Sequence, residues 1–314
     1  MRRLPPVAPR PPLADTTVSV IVPTLNEAGR LAPCLAGLRR QDAPLLEVII
    51  VDSGSTDGTL GLAREAATLD ARIRVTSDPP LPAGWIGKVW ALQHGLGLAR
   101  GDWVLGVDAD TEPNPGMVAG AVAAARMYGL DLVSFAPMFA DQSAAERWLQ
   151  PSLLASLVYR TGAPSARPSP DRLLANGQCF LVRRDVLLAH GGYAPARASF
   201  ADDVFLARHY ARAGVPCGFL DGRLLYRVRA YRSAAEMWRE WGRSVDLADL
   251  GTRGRQAIEV LFLALVQGLP VPLLAAVVAG LVAAPLPLIQ LNAGLLAVRM
   301  GLLVALAPSY ERRG

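Results

Sequence analysis

The sequence at positions 103–110 reads Trp103-Val104-Leu105-Gly106-Val107-Asp108-Ala109-Asp110. Its apolar first part, from Trp103 to Val107, is typical of a short strand buried on both faces of a parallel sheet. Two carboxylates directly after such a strand are costly as core residues. They stand where parallel sheets bind their ligands, beyond the carboxyl ends of the strands. The stretch therefore predicts an α/β fold with a ligand site at one edge of its sheet.

Segments typical of strands and helices alternate on both sides of this run. Strands are predicted before it at Val18–Pro23, Leu46–Val51 and Ile73–Val75. The helices between them are predicted at Asn26–Arg40, Thr59–Leu69 and Val89–Arg100. After it, the sequence predicts helices at Met117–Tyr128 and Val204–Ala213, with strands at Leu132–Phe135 and Gln178–Val182. This alternation with short links predicts a doubly wound, mainly parallel sheet with helices on both faces.

Asp108 and Asp110 are candidate metal ligands. Two carboxylates one residue apart point the same way if the chain turns at the strand end. They then suit Mg²⁺ or Mn²⁺, hard cations that take oxygen ligands and leave places for phosphate. Such a cation offsets the charge on a departing diphosphate. An isolated Asp-x-Asp is more often a solvated loop, and the position after a buried strand favours the functional interpretation.

A second polar turn, Asp52-Ser53-Gly54-Ser55-Thr56-Asp57-Gly58, follows the second strand. Its small residues let the backbone approach a ligand, and the helix that begins at Thr59 presents an N-terminus that favours anions. Asp52 is placed to accept hydrogen bonds from a base or a ribose. The alternative is an ordinary capped turn.

Lys88 stands out in the composition. The sequence has 32 Lys and Arg residues, of which only position 88 is Lys. A compact ammonium and a planar guanidinium bind anions differently, so a single Lys among so many Arg is consistent with a specific requirement at position 88. The alternative is chance, because the abundance of Arg can reflect base composition alone.

These motifs, taken in order, resemble those of family 2 glycosyltransferases with the GT-A fold. The resemblance runs from about Val18 to Arg243, and it is carried by Val18–Glu27, Val51–Thr59, Gly87-Lys88 with Ala91-Leu92, and Asp108-Ala109-Asp110. It implies an inverting, metal-dependent transfer from a nucleoside diphosphate sugar, usually a UDP-sugar. It also implies that Pro23, Asn26 and Glu27 line the nucleotide pocket. By the same resemblance, Asp52 contacts the base and Lys88 lies near the nucleotide or its phosphates. Asp108 meets the ribose or the metal, and Asp110 is the main ligand of Mg²⁺ or Mn²⁺.

Inverting transfer needs a base that takes the proton of the attacking hydroxyl. The resemblance places an acidic pair before a helix, and its second member is usually the base, which here is Asp203 with Asp202 as its neighbour. Adjacent carboxylates raise each other's pKa, whereas a helix N-terminus lowers it. The alternative is that one of them only caps the helix.

The acceptor side is less clearly marked. Gly177 and the turn Gly191-Gly192-Tyr193 resemble the acceptor-side strand and turn of the family. Trp241 falls where related enzymes carry a Gln-x-x-Arg-Trp element, which this sequence lacks, so processive polymer synthesis is in doubt. Arg239 and Arg243 are candidates to neutralise the diphosphate. An interfacial membrane helix explains the same segment equally well.

The stretch from Asp78 to Ala91 resembles a narrower branch, the carotenoid and hopanoid-associated membrane glycosyltransferases. The resemblance implies a membrane isoprenoid alcohol as acceptor and glucose as the transferred sugar. Trp85 is a candidate to line the acceptor groove, and a place in the hydrophobic core is the alternative. A polyprenyl-phosphate sugar synthase is the alternative within the same chemistry. A nucleotidyltransferase and a non-catalytic membrane scaffold are alternatives of other classes.

The C-terminal part has the composition of a membrane segment. From Ala257 to Tyr310 only Glu259 and Arg299 are charged. This length suits two spans of about 20–25 residues, and Arg299 argues for three. Arginines near both ends of the segment place the catalytic domain in the cytosol under the positive-inside rule.

The remaining features complete the domain prediction. The expected parts are a disordered Pro/Arg-rich lead-in (1–17), a catalytic domain (18–222), a basic interfacial helical segment (223–256) and the membrane helices (257–310). The basic segment suits anionic lipid headgroups rather than nucleic acid. Three cysteines without paired spacing predict reduced, buried thiols. The oligomeric state is left open.

Overall fold

The computed structural model describes residues 4–140, 151, 154–159, 161–162, 164–228 and 253–310. The strands are β1 (Val18–Thr24), β2 (Leu45–Asp52), β3 (Ile73–Thr76), β4 (Trp103–Gly106), β5 (Thr111–Pro113), β6 (Leu132–Ala136), β7 (Met138–Phe139), β8 (Phe180–Arg183), β9 (Cys217–Asp221) and β10 (Tyr226–Val228). The α-helices are α1 (Leu31–Arg39), α2 (Thr59–Leu69), α3 (Gly87–Leu98), α4 (Met117–Tyr128), α5 (Arg184–Ala189), α6 (Asp202–Arg212), α7 (Arg253–Leu263), α8 (Pro270–Val278) and α9 (Leu286–Leu306).

The main sheet has seven strands in the order β3-β2-β1-β4-β8-β6-β9. Its pairs are parallel except that β8 runs antiparallel to both β4 and β6. The mainly parallel, helix-covered sheet predicted from the sequence is confirmed. The α2 and α4 helices have the predicted bounds.

The central strands form because their apolar runs are buried on both faces. Val20, Ile21 and Val22 of β1 are all fully buried, as expected for a strand between two layers of helices. In the register of β1 with β2, Thr24 lies opposite Asp52. Strand β4 also runs parallel to β1, so the carboxyl ends of β1, β2 and β4 meet at one edge.

A second, three-stranded sheet has the order β5-β10-β7. The sequence does not predict it, because strands of two or three residues carry no readable periodicity. Strand β10 pairs with β5 and β7. It lies beyond Gly222, where the catalytic domain was expected to end, and it belongs to the first of two compact units.

Residues 4–17 lie along the first unit, whereas their Pro/Arg-rich composition predicts a disordered lead-in. The main-chain N–H groups of Val7, Arg10 and Leu13 donate hydrogen bonds to the carbonyls of Asp221, Gly116 and Ala43, at 2.8, 3.2 and 3.1 Å. An extended, Pro-rich segment is fixed here by backbone contacts, which composition does not reveal.

The second compact unit contains the C-terminal helices. Within the described part of the chain, two helices are long and apolar enough to cross a membrane, Val260–Val278 and Leu286–Ser309, with mean hydropathies of 2.3 and 1.7. Asn292 of the second donates a hydrogen bond through Nδ2 to the carbonyl of Pro270 in the first, at 3.0 Å. Most of the basic segment expected at 223–256 lies outside the described residues.

Candidate active site

The candidate site lies at the edge where the parallel strands end. A cleft of ≈ 290 Å³ opens there. The residues expected at the donor site that line this cleft are Pro23, Glu27, Lys88, Asp108 and Asp110.

The turn after β2 is held by the loop after β1. Asn26 adopts a left-handed backbone with φ 58°. Its Oδ1 accepts a hydrogen bond from the N–H of Thr56 at 2.9 Å, and its own N–H donates to the Ser55 hydroxyl at 2.9 Å. Asp52 is 2% exposed and accepts a hydrogen bond from the Ser55 N–H at 3.0 Å. Asn26 and Asp52 therefore shape the cleft wall through the turn, and Ser53 is the residue of this turn that lines the cleft.

Lys88 and Asp108 form an ion pair in the cleft. The Lys88 Nζ lies 2.8 and 2.9 Å from the two carboxylate oxygens of Asp108. Burial by itself lowers the pKa of Lys88, but Asp108, Asp202 and Asp203 outweigh it and raise that pKa above its ordinary value. Lys88 therefore stays protonated. The carboxylates that stabilise its positive charge come from two acidic motifs about ninety residues apart in sequence.

Asp110 lies beside this pair, and the side chain that donates to it is Gln178 rather than Lys88. Its oxygens receive long hydrogen bonds from Gln178 Nε2, at 3.2 and 3.4 Å. Burial and the negative charge of Asp108 raise the pKa of Asp110, although Lys88 and Arg30 act in the opposite direction. The nearby positive charges are therefore too weak to offset the burial of Asp110 and the repulsion by Asp108, and its ionised form is disfavoured.

The two cleft carboxylates fit a divalent cation by their donor chemistry. A cation would relieve the unfavourable burial of Asp110 beside Asp108. Among the described residues, no cluster of three or more His, Cys, Asp or Glu side chains is placed to hold a metal. One or two carboxylates are enough where the ion also binds substrate phosphates and water.

Asp202 and Asp203 begin α6 next to Lys88. The Asp203 carboxylate accepts hydrogen bonds from the N–H groups of Gly177 and Val204, both at 2.7 Å. Burial raises the pKa of both carboxyls, and the Lys88 ammonium opposes the rise. Both carboxyls therefore hold a proton more readily than ordinary carboxyls do, which suits a group that accepts one during catalysis.

Gly177 joins the two acidic motifs. A methyl group at this position would lie 2.7 Å from Lys88 Nζ and 3.5 Å from an Asp108 oxygen. The N–H of Gly177 donates to the Asp203 carboxylate at 2.7 Å, so this residue contacts one acidic motif and lies close to the Lys88–Asp108 pair of the other.

We expect a Gly177→Ala variant to bind nucleotide about tenfold more weakly, because Lys88 must leave Asp108 to make room, at a cost near one ion-pair hydrogen bond. Its melting temperature should stay close to that of the unaltered protein, since the displaced atom ends a flexible side chain. Calorimetric titration and thermal melting measure the two effects. Gly97→Ala is the matched control, because a methyl group there meets nothing within 4 Å. Unchanged affinity in Gly177→Ala would contradict this account of the site.

An apolar rim, defined here as Leu81, Trp85, Ile86, Trp90 and Phe200, lies in the first turn of α3 and on the two segments that lead into α3 and α6. Trp85 and Trp90 stack edge to face with ring centroids 5.1 Å apart. The N–H of Ile86 donates to the carbonyl of Arg197 at 2.7 Å, which ties the two segments together. Leu81 and Phe200 are 55% and 71% exposed, so the rim contains exposed apolar surface.

The structure adds Arg30 and Gln178 to the residues expected from sequence. Arg30 lines the cleft and acts electrostatically on Asp110. Gln178 directly follows Gly177 and contacts Asp110. An arginine among many others carries no signal, whereas Gln178 stands in a motif that was noted for its glycine. Three predicted residues, Arg239, Trp241 and Arg243, lie outside the described part of the chain.

Comparison with known proteins gives a consistent family match. The model of the family described as Glycosyl transferase family 2 matches residues 19–191, more than half of the chain. A PGL/p-HBAD biosynthesis glycosyltransferase of Mycobacterium bovis is 37% identical over 99 residues, which cover 31% of this chain and 37% of that protein. The 4,4'-diaponeurosporenoate glycosyltransferase of Staphylococcus haemolyticus is 25% identical over 219 residues, which cover 69% of this chain and 57% of that protein.

A solved structure shares the fold over nearly the whole chain. It is the mannosyltransferase PcManGT from Pyrobaculum calidifontis in complex with GDP-Man and Mn²⁺. The match has a TM-score of 0.57 and 26% sequence identity, and it covers 95% of this chain and 83% of that one.

Proposed function

Because the chain belongs to glycosyl transferase family 2 and has the GT-A fold, it is a glycosyltransferase. We propose that it moves a sugar from a nucleoside diphosphate sugar to the hydroxyl of a membrane isoprenoid, and that the reaction inverts the anomeric centre. One observation carries the proposal. The donor-side pair Asp108 and Asp110 and the acceptor-side pair Asp202 and Asp203 converge on one cation, Lys88.

The donor half rests on the charges in the cleft. Asp110, with Asp108, would hold Mg²⁺ or Mn²⁺, and the ion would offset negative charge on the diphosphate as it leaves. Lys88 and Arg30 line the same cleft and favour an anionic ligand. The braced turn at 53–58 gives the nucleotide a rigid wall, which lowers the entropy cost of binding.

The acceptor half rests on the acidic pair. Asp203 would take the proton of the attacking hydroxyl, since two main-chain N–H groups fix its carboxylate. Asp202 adds negative charge beside it. A base that is both oriented and raised in pKa is what this step requires.

The lipid acceptor has support from two features. The apolar rim on the segments leading into α3 and α6 exposes Leu81 and Phe200, as suits an apolar acceptor. The helices Val260–Val278 and Leu286–Ser309 suit membrane attachment by two spans. With two spans the catalytic unit would stay in the cytosol, beside its nucleotide-sugar supply. The staphylococcal relative is named for a carotenoid acid, which agrees with an isoprenoid acceptor.

The choice of donor is tested directly. Calorimetric titration of the whole protein with UDP and with GDP, each with and without Mn²⁺, should give binding that depends on the metal. We expect UDP to bind more tightly, followed by faster turnover of UDP-glucose than of GDP-mannose. Tighter binding of GDP would overturn the UDP assignment, and no metal-dependent binding of either would overturn the glycosyltransfer site itself.

The acceptor is tested separately. Deleting the gene should remove a glycosylated isoprenoid from the lipid and pigment profile of the cell, and the unaltered gene should restore it. If all such glycosides persist, the acceptor class is wrong even where the donor assignment holds.

A further inference from the structure

Tyr193 is a buried tyrosine that precedes the acidic pair, at the start of the turn Ala194–Ala196. It is 3% exposed, and within the described part of the chain its hydroxyl has no hydrogen-bond partner. Buried hydroxyls without a partner are rare in native proteins, and each one calls for a reason. The Tyr210 hydroxyl nearby shows the usual situation, since it donates to the carbonyl of Gly192 at 2.6 Å.

The backbone of Tyr193 is clamped between α3 and α6. Its N–H donates to Gln93 Oε1 of α3 at 2.7 Å. Tyr210 of α6 holds the preceding carbonyl, and the turn Ala194–Ala196 packs against both helices. Lys88 stands in the first turn of α3 and Asp202 in the first turn of α6. The main chain of Tyr193 is therefore held between the two helices that carry the charged groups of the site, and its side chain is buried.

The hydroxyl is a proton donor at the pH at which the protein functions. Burial, together with Tyr210 and the charge of Asp202, raises the pKa of Tyr193, and Lys88 acts in the opposite direction. The neutral phenol offers one O–H to an acceptor. Asp202 is the anion among the groups that act on it, and an ionised carboxylate is a strong acceptor for such a donor.

We propose that Tyr193 is a positioning residue whose hydroxyl donates a hydrogen bond to the Asp202 carboxylate in the reacting complex. This role of Tyr193 rests on the proposed function, because it places Asp202 in the group of residues that carry out proton transfer. Gly177 and Val204 fix the Asp203 carboxylate, and Tyr193 fixes that of Asp202. The phenol keeps its proton throughout. The acceptor's proton passes to Asp203, and the bond from Tyr193, with the nearby Lys88 ammonium, favours the ionised form of Asp202.

The test is Tyr193→Phe in the whole protein, which removes the hydroxyl and keeps the ring. Turnover is measured as UDP release from UDP-glucose with Mn²⁺ and farnesol in detergent micelles as acceptor. We expect kcat to fall about tenfold, as for the loss of one hydrogen bond to a charged group. KM for UDP-glucose should be unchanged. The melting temperature should be unchanged or higher, because no bonded group is lost.

Tyr210→Phe is the matched control. It removes a hydroxyl that is bonded in this structure, so its melting temperature should fall while kcat changes much less than in Tyr193→Phe. A Tyr193→Phe protein with unaltered kcat would overturn the positioning role and leave the glycosyltransfer proposal standing. Parallel losses of kcat and melting temperature would also overturn it, since they indicate a structural hydroxyl. An unaltered protein that releases no UDP would remove the proposed function and this role together.

Discussion

An Asp203→Asn protein is expected to transfer sugar about 10²–10⁴ times more slowly than the unaltered protein, the usual contribution of a positioned general base. Asparagine keeps the shape of the side chain, and its amide oxygen still caps α6 at Val204. It does not take a proton from the acceptor hydroxyl. Affinity for UDP with Mn²⁺ should be unchanged, since Asp203 lies on the acceptor side. Single-turnover transfer and calorimetry measure the two quantities.

Asp185→Asn is the matched control for this variant. Asp185 accepts a hydrogen bond from the N–H of Val186 at 2.9 Å, as Asp203 does from Val204, but it is exposed and lies in α5. Its replacement removes the same kind of contact, together with an ion pair to Arg183 at 2.6 Å, and should leave transfer unchanged because Asp185 is not among the residues that line the cleft. A small effect of Asp203→Asn would favour the polyprenyl-phosphate synthase, because a phosphate acceptor is already ionised and needs no base.

Replacing Asp110 with Asn is expected to lower transfer by about 10³-fold, since a bound cation contributes several kcal/mol of charge stabilisation in such reactions. Here nucleotide binding should also lose its dependence on Mn²⁺. Burial and the charge of Asp108 raise the pKa of Asp110, so its ionised form is unfavourable in the unliganded fold. The neutral amide should therefore leave the melting temperature above neutral pH unchanged or higher.

Asp78→Asn is a suitable comparison for Asp110→Asn. Asp78 accepts a hydrogen bond from the Ser53 hydroxyl at 3.0 Å, close to the cleft but not among the residues that line it. Its replacement should leave metal dependence intact. If Asp110→Asn still binds UDP only with Mn²⁺, Asp110 is not the main ligand, and the metal assignment would have to move to Asp108 alone.

Much of the fold follows from sequence because its central strands are continuous apolar runs. Strand β2, for example, has a single exposed residue, Leu46. The second sheet could not be predicted, because β5, β7 and β10 are too short to show a pattern and are formed by pairing with distant segments. The antiparallel β8 has the same local sequence as a parallel strand, so its direction depends on topology alone.

The site shows the same division. Asp52, Lys88, Asp108 and the acidic pair stand in recognisable motifs at predictable ends of strands and helices. The contacts among these residues cannot be predicted from the motifs. The approach of Gly177 to Lys88 and the hydrogen bonds between Asn26 and residues 55–56 join chain segments that only the folded sheet brings together. Tyr193 was noted only as part of a glycine turn, since a buried hydroxyl without a partner is visible only in three dimensions.

The ion pair between Lys88 and Asp108 gives the protein a built-in chemical reporter. Lys88 carries the only side-chain amine in the sequence, so an amine-directed reagent would modify this one side chain and the chain terminus. Its protonated, carboxylate-bound state makes it a slow nucleophile, and its rate of acylation would register any ligand that displaces Asp108. Mass spectrometry of the labelled peptide would therefore read the occupancy of the cleft without a substrate assay and before the acceptor is identified.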